Sequence, residues 1–186
     1  MTEPAPVTQR YDGVAIALHW IIAFLILANL TLGLSMVALP ISPRKLHWYL
    51  WHKSIGVSVF ALTSVRLGWR ATHLPPAPVP PWQQRASAWS HRMLYLLLFA
   101  VPLSGYLYSS AAGVQVVWLE AFPLPDLVPK DKALGDVLRV AHVGLNVALA
   151  TLAVLHVAAA LKHRFVDRDT VLARMLPFKA NRTAPR

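Results

Sequence analysis

Four long apolar runs, at residues 14–38, 48–69, 90–108 and 137–161, alternate with short polar or proline-rich segments. Each run is close to the ~20 residues that an α-helix needs to cross a hydrocarbon layer of about 30 Å. The pattern predicts an all-α fold, a four-helix transmembrane bundle that takes up residues 1–186 as one domain. Residues 74–81 are mostly proline and form a semi-rigid connector that cannot be helical. The longest loop is 109–136. Its 114–122 portion is apolar enough to lie along the membrane interface, but Glu120, Pro123 and Pro125 argue against a fifth span. Trp48, Trp51, Trp69, Trp82 and Trp89 fall near the predicted helix ends, as in an aromatic belt at the lipid headgroups. Residues 1–13 are polar with one basic residue, Arg10, and the run that follows exceeds the 7–15 residues of a signal core. It reads as an uncleaved first helix.

Composition agrees with a membrane chain. Only 14% of residues are charged and the mean hydropathy is +0.47, whereas soluble domains carry about 25% charged residues. The net charge of +10 raises a nucleic-acid partner, but no basic stripe interleaved with stacking aromatics is present. Instead, twelve of the eighteen lysines and arginines fall on one side if the N-terminus, the loop between helices two and three (counted with Arg66, Arg70, Arg85 and Arg92) and the tail share it. That bias places both termini in the cytoplasm. The basic tail also carries Val171, Leu172, Met175 and Leu176, a pattern that rests on the inner membrane surface. The absence of cysteine excludes disulfides, iron–sulfur clusters, thiolate ligation and covalent Cys-x-x-Cys-His haem attachment.

The chemistry lies in the eight histidines. His47, His73 and His163 flank charged residues at the predicted boundaries and read as solvated or headgroup contacts. His19, His52, His91, His142 and His156 fall within or at the lip of the apolar runs, where an ionisable side chain is costly and points to a functional site. His142 and His156 are fourteen residues apart on helix four. They therefore return to within about 40° of one another and lie about 21 Å apart along the axis. Two haems stacked across a bilayer need such an arrangement.

Depth supplies the partners. His52 matches the outer level of His142, and His19 the inner level of His156, giving two candidate bis-histidine iron sites with His19, His52, His142 and His156 as axial ligands. Such iron favours outer-sphere electron transfer. His91 opens helix three near the inner level; it either replaces His19 as a ligand or hydrogen-bonds a haem propionate or a quinone carbonyl. Gly33, Gly56, Gly105 and Gly144 offer close approach to a flat macrocycle or a neighbouring helix. Arg44, Lys45 and Lys53 outside, and Arg10, Arg70, Arg92 and Arg164 inside, are candidate propionate partners. Zinc is disfavoured, because the histidines lie at two depths and no acidic residue lies in the apolar runs.

Residues 11–20 (Tyr-Asp-Gly-Val-Ala-Ile-Ala-Leu-His-Trp) resemble the opening of bacterial cytochrome b-561 proteins. His52 with Gly56, His91 with Tyr95 and Pro102, His142 with His156, and the tail segment 169–177 are similar to the same family. The resemblance implies a di-haem protein of the bacterial inner membrane, multi-pass, with two haem b groups, exchanging electrons with ubiquinone. One type in that family is a superoxide oxidase, so superoxide is the favoured periplasmic donor and the chain an expected oxidoreductase. No catalytic residue beyond the haem ligands is assigned. The rival readings are a haem b anchor subunit that serves a periplasmic partner dehydrogenase or hydrogenase, and a haem-free transporter or scaffold whose histidines bridge helices.

Overall fold

The structure, a computed structural model, describes residues 10–73 and 81–177. Residues 74–80 of the proline connector, and the tail cations Lys179, Arg182 and Arg186, lie outside the described residues. Four helices dominate: α1 (Gly13–Ala38), α2 (Pro43–Thr72), α3 (Pro81–Ala111) and α4 (Lys132–Phe165). Three begin at a side-chain cap that satisfies an otherwise orphaned amide. Asp12 accepts from the Ala15 amide at 2.9 Å, Ser42 from Lys45 at 3.3 Å and Asp131 from Leu134 at 3.0 Å. The Ala15 amide and the Trp69 indole, at 3.1 Å, hold the Asp12 carboxyl below its usual range. That tie joins the N-terminal end of α1 to the C-terminal end of α2.

The helices outrun the apolar runs that announced them. α2 opens at Pro43 rather than residue 48, and α3 at Pro81 rather than residue 90. Apolar runs mark where a helix meets lipid, whereas caps and a proline in the first turn mark where it starts. Among the described residues, α1, most of α3 (Arg85–Ala111) and α4 are long and apolar enough to cross a membrane. α2 is not, because Arg44, Lys45, His47, His52, Lys53, Arg66 and Arg70 all lie within it. Arg66, within the predicted run 48–69, lies in this helix, and so does Arg70.

Neighbours in sequence pack on one another, α1 on α2, α2 on α3 and α3 on α4. Ile22, Val59, Leu98 and Leu149, one from each helix, form a buried apolar layer across the middle. Val59 follows His52 by two turns, Leu149 lies two turns from both His142 and His156, and Leu98 follows His91 by two turns. The dry layer thus separates two levels of histidine.

The 114–122 stretch does not simply lie flat. It builds a small hairpin, β1 (Val117–Trp118) and β2 (Phe122–Pro123), with Trp118 opposite Phe122. Leu119 and Glu120 take left-handed φ values of 53° and 59°, and the Ala121 amide donates to the Trp118 carbonyl at 3.2 Å. The three-residue connection 119–121 thus holds two left-handed residues in a row, without the glycine or asparagine that signals such a turn in sequence. The hairpin docks on α2. Ser54, 2% exposed, accepts from the Leu119 amide at 3.0 Å, and the Trp118 indole donates to Ser58 at 3.1 Å. At the other end, the tail turns back through a 3₁₀ segment, Leu172–Arg174. The Tyr11 amide donates to the Arg174 carbonyl and the Trp20 indole to the Met175 carbonyl at 2.8 Å.

Replacing Ser54 by Ala leaves the Leu119 amide without its acceptor, a loss on the order of 1–3 kcal/mol for a buried group. Hydrogen exchange across residues 117–123 is expected to accelerate while the helices keep their protection. Unchanged exchange would mean that Ser54 does not hold the hairpin.

Candidate functional site

Of the two histidine levels, labelled outer and inner after the expected topology, the outer centres on His52 of α2 and His142 of α4, whose ring centroids are 6.2 Å apart at 89°. Pro102 has no amide proton for the Leu98 carbonyl, which loosens this turn of α3 where His142 leans on it. The His142 Nδ1–H donates to the Val101 carbonyl at 3.1 Å, with Ser104 Oγ at 3.0 Å. A carbonyl only accepts, so the proton is on Nδ1 and the Nε2 lone pair is free for a metal. Asn146 Nδ2 donates to the His142 carbonyl at 2.7 Å one turn further on.

Close approach makes room for both rings. A Cβ at Gly105 would lie 2.8 Å from His142 Cε1, and one at Gly33 would lie 3.1 Å from His52 Cε1. Glycine at these two positions therefore lets an imidazole lie directly on a neighbouring helix. Gly144 has nothing within 4 Å of such an atom and makes no comparable contact. Beside the pair is a cavity of about 470 Å³, within the range of cofactor sites. His52, His142, Asn29, Gly56 and Lys53 line it among mostly apolar side chains. His52 Nδ1 and Asn29 Oδ1 are buried there without hydrogen-bond partners.

The inner level gathers His19 of α1, His156 of α4 and His91 of α3. The centroids of His19 and His156 are 6.4 Å apart, those of His91 and His156 5.5 Å. Ser87 Oγ lies 3.3 Å from His91 Nδ1. Arg66 joins three helices here: Nε donates to the Tyr95 hydroxyl at 3.1 Å and a terminal nitrogen to the Ala15 carbonyl at 2.7 Å. Its charge reaches His19, His91 and His156.

The arrangement has the dimensions of a haem site. An imidazole nitrogen sits roughly 2 Å from a bound first-row metal and its ring centre about 1 Å behind, so two imidazoles flanking one metal have centroids roughly 6 Å apart. The separations of 6.2 and 6.4 Å match that requirement. The glycine cradles, the orphaned polar atoms and the apolar cavity suit a flat, largely apolar macrocycle. The fit is good.

The three boundary histidines do other work. His47 accepts from the Trp51 indole at 2.8 Å and faces Glu120 at 3.7 Å. His73 stacks on Trp69 at 4.0 Å. His163 ties the tail to α4 through Asp169 at 2.6 Å and Asp167 at 3.3 Å. Sequence reasoning missed Val101, Ser104, Asn29, Asn146 and the place of Arg66. For the two asparagines a signal existed, since an amide within an apolar run is itself costly.

Comparison with known proteins places the chain as a whole. The family described as prokaryotic cytochrome b561 matches residues 10–178. Cytochrome b561 homolog 2 of Escherichia coli K12 is 36% identical over 175 residues, covering 90% of this chain and 92% of that protein. Cytochrome b562 of Cereibacter sphaeroides is 31% identical over 172 residues, with coverage of 89% and 94%. A protein of Yersinia pestis named probable superoxide oxidase CybB is 28% identical over 178 residues, with coverage of 92% and 98%.

The glycine contacts give a graded expectation. Gly105→Ala forces the His142 ring to move and lowers the haem retained per purified chain. Gly33→Ala has a milder effect, and Gly144→Ala none. Equal haem content in all three, by pyridine haemochrome assay, would show that neither ring needs its glycine.

Proposed function

This chain belongs to the prokaryotic cytochrome b561 family, a membrane electron-transfer family with b-type haem, and on that premise we propose that it carries electrons through two haems across the bacterial inner membrane to ubiquinone. The observation that carries this reading is the pair of imidazole separations, 6.2 Å and 6.4 Å, at two levels of one bundle. In this reading His52 and His142 hold the outer haem, and His19 and His156 the inner one. His91, 5.5 Å from His156, is closer than a bis-imidazole ligand should be and flanks the inner site.

All four helices span in this arrangement, with both termini cytoplasmic. The charges of α2 lie towards its two ends, and residues 54–65 between Lys53 and Arg66 are uncharged. Three neighbours also shield it: α1 and α3 pack along it and the hairpin covers part of its outer end.

Bound haem supplies one-electron storage at each level. The protein's residues do the rest. Val101 fixes the tautomer of His142, so that the ring presents a lone pair rather than a proton. Ile22, Val59, Leu98 and Leu149 keep water out between the levels. Lys53, beside His52 on the cavity wall, draws small anions toward the outer pair.

Superoxide is the proposed donor, supported by this cation and by the name of the Yersinia pestis relative. Two superoxide anions each lose one electron to become dioxygen, and one ubiquinone takes both electrons and two protons to become the quinol. The chain is then a superoxide:ubiquinone oxidoreductase. The second reading is a haem b subunit that receives electrons from a periplasmic partner protein. The exposed apolar side chains Ile41, Leu46 and Phe122 on the outer face favour it.

Purified protein is expected to show reduced b-type bands equivalent to two haems per chain. His52→Ala and His142→Ala should lose the same haem, and His19→Ala and His156→Ala the other. Loss of different haems within a pair would refute the pairing. In stopped flow with ubiquinone present, superoxide should reduce the haem faster than it dismutates spontaneously. No reduction on that timescale would remove superoxide as donor and favour the partner-protein reading.

A further inference from the structure

Arg66 is a half-buried cation one turn inside the belt residue Trp69, and among the described residues no carboxylate pairs with it or with Arg70. Its environment is built rather than incidental. Two of its five N–H donors are taken by the Tyr95 hydroxyl and the Ala15 carbonyl, which leaves the fork partly free to meet an oxygen pair. Tyr95 accepts from Arg66, so its own O–H is free to donate. The Arg70 guanidinium lies 5.9 Å from the centroid of the same ring. One turn deeper on α2, Thr63 is completely buried and its hydroxyl has no hydrogen-bond partner. His91, one turn before Tyr95 on α3, adds an imidazole within reach of both arginine charges.

A cation set against the low-dielectric interior without a counter-charge is expensive, and one satisfied by an oxyanion is not. We propose that Arg66, Tyr95 and His91 form an oxyanion-binding site at the inner histidine level, its ligand a carboxylate or phosphate group. That chemistry has two sources here, the propionate of the inner macrocycle and the phosphate of an anionic lipid headgroup. The first source rests on the two-haem reading above. Arg66 is then a positioning residue, holding one edge of the inner group while His19 and His156 hold its centre.

The test compares wild type with Arg66→Gln, Arg66→Lys and Tyr95→Phe, each as full chain with its haem bound. If the ligand is the macrocycle's own carboxylate, Arg66→Gln leaves that negative charge uncompensated. One of the two haem potentials should then fall, by about tenfold in the reduced-to-oxidised ratio, or 59 mV for a one-electron couple. The other potential stays fixed, Arg66→Lys moves less, and Tyr95→Phe shifts the same haem. If the ligand is lipid phosphate, the potentials stay put. Native mass spectrometry after reconstitution in equal parts phosphatidylglycerol and phosphatidylcholine then shows phosphatidylglycerol retained by wild type and lost by Arg66→Gln. Either result supports the site. Unmoved potentials together with unchanged lipid retention overturn it. So does loss of both haems from Arg66→Gln while Tyr95→Phe behaves as wild type, the mark of a merely structural arginine. Wild type carrying a single haem would end the two-haem reading before any variant is compared, and leaves the lipid arm able to decide.

Discussion

An imidazole in an apolar bundle needs something on each ring nitrogen, and α4 carries two such rings, His142 and His156, fourteen residues apart on one face. α4 packs chiefly on α3 and on the tail, and its histidines touch α3 at Val101 and His91 while also facing His52 of α2 and His19 of α1. Direct helix packing would have closed these approaches. Instead the rings stop with centroids just over 6 Å apart, the outer pair beside a cavity of about 470 Å³. Glycine stands where each ring of the outer pair lies on a neighbouring helix, and Pro102 lies in the turn of α3 that His142 contacts.

The two levels are built differently, and the difference matches their surroundings. The outer level is covered by a folded loop, its hairpin fastened to Ser54 and Ser58, and polar contacts there come mainly from neutral groups such as Ser104, the Val101 carbonyl and Asn146. The inner level has a third imidazole and a cluster of guanidinium groups, with the tail folded back against Trp20, the residue after His19. Under the proposed function, the sheltered ring and single nearby cation of the outer level suit a small diffusing anion, and the charged, proton-bearing groups of the inner level suit a quinone.

How far the sequence foretold this depends on the kind of group. The five half-buried histidines stood out because ionisable side chains are rare in apolar runs, and the helical repeat alone set His142 and His156 on one face at two depths. The partner of His142 Nδ1 was not legible, since it is the carbonyl of Val101, and any residue has a carbonyl. The hairpin was hidden for a related reason. Its turn uses Leu119 and Glu120 in left-handed geometry, and neither residue signals a turn. Arg66 fell inside the predicted second helix, but charge counting used it only as a sign of sidedness and did not reveal its contacts with Tyr95 of α3 and Ala15 of α1.

That placement bears on why α2 is the least apolar of the four helices. Its polar character is concentrated where the bundle needs it: Lys53 at the outer level and Arg66 at the inner one, thirteen residues or about 20 Å apart along the axis. Between them the helix is uncharged, and its inward stripe runs through Gly56, Val59 and Thr63. If each level holds a haem, as proposed, a cation at each end of that stretch favours an added electron there, while the apolar middle sets the two charges apart. A more lipophilic α2 would insert more easily, but it would lose those charges. The proposal thus gives the hydropathy deficit of α2 a role, and packing by α1, α3 and the hairpin covers part of the helix.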